Sequence, residues 1–224
     1  VTIRSPMGGG RGYGPTHSQS IEKLLLGLDN FPIYAVTSAI DPLPLFKFLE
    51  NIESPSLLIE NKMDYSKMLF QPRADVPMEF QIIGQGASTL VGRPWMSGRK
   101  ADVTLVTYGG LGRKILDSFE EIFEHSDVIF NVFIVQALYP FPIQHFIDDV
   151  ADTKRLLVVE EGSTDFGWGA EVCQKVIESV PSCIARRVGA KSVPIPSPRS
   201  LEDQVLVNLD DVILGLKSVI GGTQ

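Results

Sequence analysis

The sequence predicts an α/β fold of three layers built on mostly parallel sheets, and three observations carry that prediction. Short runs rich in Val, Ile and Leu alternate with amphipathic helical patterns, the signature of βαβ units. Val103–Tyr108 and Val128–Val135 are apolar nearly throughout rather than alternating with polar residues, as in strands covered on both faces. The chain has 224 residues, 44 % of them hydrophobic, and a mean hydropathy of +0.11, enough apolar surface for one large or two small domains.

In chain order, Val1-Thr2-Ile3-Arg4 is strand-like and has no initiator methionine, so the numbering reads as starting inside a fold, in a fragment. Next comes Gly8-Gly9-Gly10-Arg11-Gly12-Tyr13-Gly14, whose glycines let the backbone approach a ligand closely. Thr16 followed by Gln19 is a capping-box pattern and predicts a helix from Ser18 to about Leu26. His17 would then stand in its first turn, at the positive end of the helix dipole, where an imidazole is placed to exchange a proton with a ligand. The loop matches neither the dinucleotide Gly-x-Gly-x-x-Gly pattern nor a P-loop.

Ile33–Thr37 reads as a strand, Pro42–Asn51 as a helix and Ser56–Glu60 as a strand, which leaves a first sheet that looks incomplete. Residues 61–99 carry Gln71-Pro72-Arg73, Val76-Pro77 and Gly92-Arg93-Pro94 with little periodicity, and read as linker with room for one short hairpin. The expected division is therefore 1–70, a linker over 71–99, and a second domain over 100–224. In that domain Val103–Tyr108 is a strand, Gly109–Gly112 a turn and Lys114–Phe123 a helix. Strands at Val128–Val135, Arg155–Glu160 and Ser182–Val188 follow, with helices at Ile143–Val150, Ala170–Val180 and Asp210–Val219. Right-handed crossovers then build a sheet with helices on both faces.

Several function classes fall away. A net charge of −7 and the absence of a basic block argue against nucleic acid or an anionic membrane as partner. No apolar run approaches the roughly 18 residues of a membrane span. Cys173 and Cys183 are the only cysteines and there are three histidines, so no zinc site is expected and the thiols read as buried and free. No Gly-x-Ser-x-Gly or His-Glu-x-x-His motif marks a hydrolase. Glu160-Glu161-Gly162 lies at the ligand-binding edge of an α/β sheet, but neighbours on a strand point to opposite faces, so the pair reads as structural. The glycine-rich Ser163–Glu171 loop enters a helix and admits either an anion site or tight packing around Trp168. His125 and His145 have no catalytic partners in register and read as surface or interface residues.

Arg-Gly-x-Gly-Pro-Thr-His-Ser-Gln-Ser over residues 11–20 resembles the beta subunit of the decarboxylating component of 2-oxo acid dehydrogenase complexes, a transketolase-like thiamine-diphosphate enzyme family. Ala101–Gly109, Leu156–Gly162, Gly167–Val172 and Leu201-Glu202-Asp203 follow in that family's order, so the resemblance covers nearly the whole chain. It implies the second part of a pyrimidine-binding domain over 1–70 and a transketolase C-terminal-type domain over 100–224. It implies His17 as the catalytic residue that lines the channel, holds the 2-oxo acid and moves protons during acyl transfer to lipoamide. Thiamine diphosphate with magnesium would be bound in the complete enzyme only, since the family's activating glutamate lies upstream of the glycine loop and the diphosphate is held by the alpha subunit or alpha region.

The implied partners are that alpha chain, a second beta copy and the lipoyl acyltransferase component, the last docked through Glu202 and Asp203. Asn51-Ile52-Glu53-Ser54-Pro55 departs from the family's potassium-site pattern, so no metal is carried over. Pyruvate or a branched-chain 2-oxo acid is the expected substrate class, and a bacterial cytoplasm or mitochondrial matrix the expected location. The chain by itself is expected to be inactive. Two alternatives stand beside this: a non-catalytic dimerisation and docking module, and a related transketolase or 1-deoxyxylulose-5-phosphate synthase. The second lacks the basic residues that a sugar phosphate needs, with only Arg11 and Lys23 near His17.

Overall fold

Two sheets carry the chain in the structure, a computed structural model that describes residues 1–74, 76–95 and 99–221. In chain order the elements are β1 (Thr2–Met7), β2 (Ile33–Val36), α1 (Leu43–Glu50), β3 (Ser56–Asn61), β4 (Met78–Ile83), β5 (Thr89–Pro94), β6 (Val103–Tyr108), α2 (Gly109–Asp117), α3 (Phe119–Ser126), β7 (Phe130–Val135) and β8 (Ala137–Tyr139). After these come α4 (Ile147–Thr153), β9 (Arg155–Ser163), α5 (Trp168–Ser179), β10 (Ile184–Ala190), α6 (Arg199–Glu202) and α7 (Leu209–Gly221). The first sheet has strand order β1-β3-β2-β8, and the second β10-β9-β6-β7-β5-β4. Pairing is parallel for β1–β3, β2–β3, β6–β7, β6–β9 and β9–β10, and antiparallel for β2–β8, β4–β5 and β5–β7.

The near-continuous apolar runs are explained by helices on both faces of the second sheet. Val103, Leu105, Val132, Ile134, Leu157 and Val159 pack with Ile115, Ile122 and Leu216, from α2, α3 and α7. Their strand neighbours Val106, Phe133, Leu156 and Val158 pack with Val150, Trp168, Val172 and Val176, from α4 and α5. That second cluster also takes in Ile33, Leu57 and Ile59 of the first sheet, so the two sheets share apolar core.

Two features complete the sheets beyond the strands expected in each domain. The 78–94 hairpin, within the stretch read as linker, is built into the second sheet through β5 against β7; positions 75 and 96–98 of that stretch lie outside the described residues. Directly after β7, the short β8 crosses to pair with β2. Gln136 sits at the crossing, its carbonyl accepting the Ala35 N–H at 2.7 Å and its side-chain oxygen the Ser88 N–H at 2.9 Å.

The predicted helix from Ser18 to Leu26 does not form. In its place are single 3-10 turns at Gly14–Thr16 and Glu22–Leu24, and no side-chain cap bond is made at either. A nine-residue helix is too short to stabilise itself, and tertiary partners compete for its side chains. Glu22 is buried against the Tyr108 hydroxyl (2.7 Å), and Lys23 donates to the Ser163 hydroxyl. Gly109–Gly112, expected as a turn, is instead the first turn of α2. A Cβ on Gly112 would meet Ile134 at 2.5 Å, so glycine there serves the close approach of α2 to β7.

Candidate functional site

The glycine loop after β1 bears the residue singled out from the sequence. Gly8, Gly10, Gly12 and Gly14 all have positive φ, which folds the loop back against residues 197–202. The Gly12 N–H donates to Glu202 Oε2 at 2.7 Å, and a Cβ at Gly12 would stand 2.9 Å from the Ser197 carbonyl oxygen. His17 closes the 3-10 turn, its N–H reaching the Gly14 carbonyl, and it is exposed. Lys62 donates to the His17 carbonyl and lies 5.7 Å over the Tyr13 ring, which meets the imidazole edge-on at 6.4 Å. Among the described residues neither ring nitrogen of His17 has a hydrogen-bond partner. The ring is therefore free to engage a ligand, but no helix dipole acts on it: the dipole argument is corrected because the helix is absent.

Glu202 corrects a second expectation. Its side chain is 0 % exposed and clamps the glycine loop, so it is not a surface carboxylate open to a docking partner; Asp203, next to it, is exposed. We expect Glu202→Ala to release the loop. Loss of a buried acceptor costs about 1–3 kcal/mol, and hydrogen exchange at Gly12 should accelerate about tenfold or more. Unchanged exchange over residues 8–17 would show that the clamp does not hold the loop.

Between the two sheets lies a buried acidic knot that sequence reading missed. Glu161 accepts from Asn61 Nδ2 through both oxygens (3.0 and 2.9 Å) and from the N–H groups of Gly110 (2.7 Å) and Leu111 (3.3 Å). Its own N–H donates to the Tyr108 hydroxyl at 3.2 Å, and that hydroxyl donates to Glu22. Burial pushes Glu161 up to about 7, and Glu22 reinforces the shift while Asn61 and the two amides oppose it. Burial likewise raises Glu22.

Glu160 faces the other way, as neighbours on a strand must. It accepts the Gly169 N–H at 3.0 Å and lies 3.5 Å from Arg187, and burial pushes it up to about 7. Each acid thus fills the N-terminal end of one helix, Glu161 that of α2 and Glu160 that of α5. The anion reading of the Ser163–Glu171 loop is corrected accordingly, because Glu160 takes the site from within. A Cβ at Gly167 would stand 2.7 Å from the Ser163 carbonyl oxygen as well as 2.2 Å from Glu160 Oε2, so glycine serves the close approach there. Trp168 is buried, donates to the Leu138 carbonyl at 3.0 Å and meets Tyr108 edge-on at 5.1 Å.

The remaining candidates are structural. His125 is exposed and bonds the Glu121 carbonyl at 2.9 Å. His145 is half-buried against Thr89 Oγ1 at 2.8 Å, and burial lowers its pKa. Both cysteines are free and buried, and burial pushes Cys173 up to about 12, where a thiol is inert. Glu22, Asn61 and Tyr108 carried no sequence signal, since their roles depend on partners 86, 100 and 53 positions away. Among the described residues no helix is long and apolar enough to cross a membrane.

The model of the transketolase C-terminal domain family matches residues 96–212. Among curated proteins the chain is similar to the mitochondrial pyruvate dehydrogenase E1 component subunit beta-1 of Arabidopsis thaliana, with 24 % identity over 97 % of this chain and 58 % of that protein. It is also similar to the corresponding mitochondrial E1 beta subunit of Saccharomyces cerevisiae, with 25 % identity over 98 % of this chain and 59 % of that protein. The chain thus spans less than two thirds of either relative. Among solved structures, one described as a split-gene transketolase, inactive beta4 tetramer, superposes with a TM-score of 0.70 at 17 % identity, over 99 % of this chain and 66 % of that one, which shows a shared fold.

Proposed function

Because the chain belongs to the transketolase C-terminal domain family, we propose that it forms the second part of a beta subunit, or beta-like region, of a thiamine-diphosphate-dependent 2-oxo acid dehydrogenase. On this reading residues 1–70 are the second part of a pyrimidine-binding domain and residues 100–224 the C-terminal domain. The observation that carries the reading is His17: an exposed imidazole with unpartnered ring nitrogens, on a glycine loop clamped from behind by Glu202. The E1 beta relatives support the same reaction class.

The residues present fit one wall of a cofactor cleft. His17, Tyr13 and Lys62 form an open face rather than an enclosing cradle, so the diphosphate and magnesium would be held by the alpha subunit or alpha region. When bound in the assembled enzyme, thiamine diphosphate supplies the carbon nucleophile and electron sink for decarboxylating a 2-oxo acid. This chain's part is to orient the substrate carboxylate beside His17 and to hold or move a proton at an imidazole nitrogen during acyl transfer to lipoamide. Pyruvate or a branched-chain 2-oxo acid is the proposed substrate, a second beta copy and the lipoyl acyltransferase the further partners, and the mitochondrial matrix the location in keeping with the relatives' names.

The test is to assemble the protein with its alpha partner, thiamine diphosphate and magnesium, and to measure carbon dioxide release from pyruvate and from branched-chain 2-oxo acids. Turnover of one class is expected; turnover of neither sinks the reading. A second reading, a docking module without catalytic contact, is favoured by the large apolar side chains left in solvent at Met68 (85 % exposed) and Phe166 (94 %). It requires that acyltransferase capture be lost in Asp203→Lys while turnover is unaffected in His17→Ala.

A further inference from the structure

A cavity of about 400 Å³ lies between the two sheets, behind the glycine loop, and His17 does not line it. Its size is that of a small-molecule site. Its walls come from the loop after β1, the segment after β3, the first turns of α2 and the 199–208 segment. What distinguishes it is which of its polar groups are already used. Asp64 accepts the Ser38 N–H at 2.9 Å and faces Lys67 at 3.9 Å. Lys67 is shared between Asp64 and Asp117. Glu161 is saturated by Asn61 and the α2 amides, so the helix end is not on offer either.

Ser18, Lys114 and Arg199 each keep a donor for a ligand. Ser18 is 1 % exposed, and its Oγ has no hydrogen-bond partner among the described residues. Leaving a buried hydroxyl unpaired costs about 1–3 kcal/mol, so this position calls for an acceptor from the cavity. Lys114 is half-buried and uses one N–H on the Val207 carbonyl at 3.2 Å. Burial lowers its pKa while Asp203 and Asp211 hold it up. The Arg199 guanidinium has no partner among the described residues. Against these cations stand two lining acids, Asp203, whose charge acts on Lys114, and Asp64, whose Oδ1 is buried without a hydrogen-bond partner 3.9 Å from Lys67.

The geometry points to a binding site for a small metabolite with an oxyanion head, a phosphate ester or a carboxylate, which pairs with Lys114 and Arg199, offers Ser18 an acceptor and rests on Leu111, Leu206 and Val207. Charge-assisted hydrogen bonds from two cations in a half-enclosed site supply the affinity. Because the walls belong to both sheets, a bound anion ties the two together and raises the stability of the chain by mass action. The site is independent of His17 and of the proposed reaction.

Thermal unfolding of the chain is to be followed while titrating inorganic phosphate, and separately sodium succinate, each against sodium chloride of equal ionic strength. A saturable rise in Tm with phosphate alone identifies a phosphate head, with succinate alone a carboxylate head, and with both a general oxyanion site. Arg199→Met, at an exposed position that does not endanger folding, is expected to weaken the response about tenfold, Lys114→Met by at least as much, and Ser18→Ala about fivefold. A response that follows ionic strength, one that does not saturate, or one undiminished in Arg199→Met overturns the proposal.

Discussion

In the enzyme assembled with its alpha partner, His17→Ala lowers acyl transfer to lipoamide by about 10²–10⁴-fold, the range that one positioned acid–base group contributes. The ring's environment makes the test a clean one. His17 is exposed, and beyond its backbone bonds it makes one edge-on ring contact, to Tyr13. Removing such a side chain changes stability by about 0.5 kcal/mol or less, so Tm should hold while turnover falls. His125→Ala serves as the control, since His125 is also exposed but bonded to its own helix. If acyl transfer in His17→Ala equals that of the parent, His17 has no catalytic role and the module reading gains.

Stability is expected to fall as pH rises from about 5 to about 8, the reverse of ordinary acid denaturation. Glu160 and Glu161 are both raised by burial from 4.5 to about 7. Between those values the folded chain holds protons that the unfolded chain has released, so unfolding becomes easier with each step up in pH, and the loss levels off about one unit above the folded value. A rise of that size at one group corresponds to roughly 3 kcal/mol. Glu22, raised by burial, acts in the same direction. His145, lowered by burial, acts oppositely and alone within the window. Glu60 acts elsewhere: burial would raise it, but hydrogen bonds from Arg4 and Tyr65 hold it low, so its contribution is lost only in acid. Urea unfolding at pH 5 and pH 8 measures the difference, and Glu161→Gln should remove about half of it. Equal or greater stability at pH 8, or an unchanged slope in the variant, would mean that the knot does not hold its protons.

The fold was largely legible because its main sheet is made of strands covered on both faces, and such strands are written as uninterrupted apolar runs. β6, β7 and β9, with α5 and α7 after them, emerge from that pattern to within a few residues, whereas β10 at the sheet edge carries Arg186 and Arg187 and is only partly buried. The hairpin of β4 and β5 was less visible, since β4 alternates exposed and buried residues beside prolines and glycines that read as linker. β8, three residues long, has no pattern to read. The helix after His17 misled for a stated reason: a capping pattern records only local preference, and the contacts of Glu22 and Lys23 with distant residues outweighed it.

Of the site, the glycine loop, the histidine after it and the two acids near the end of β9 are legible from residue type and near neighbours alone. A backbone that must turn at positive φ requires glycine, and two successive strand residues must face opposite ways whatever surrounds them. What those residues meet depends on the packed fold. It sank Glu202, expected to dock a partner, beneath the glycine loop, set Glu160 and Glu161 on the ends of two different helices, and gathered Ser18, Lys114 and Arg199 around one cavity with donors to spare. The physical reason is common to all three outcomes: hydrogen bonding and burial are settled by pairs up to 190 positions apart, and one strand crossing from sheet to sheet fixes which pairs come within reach.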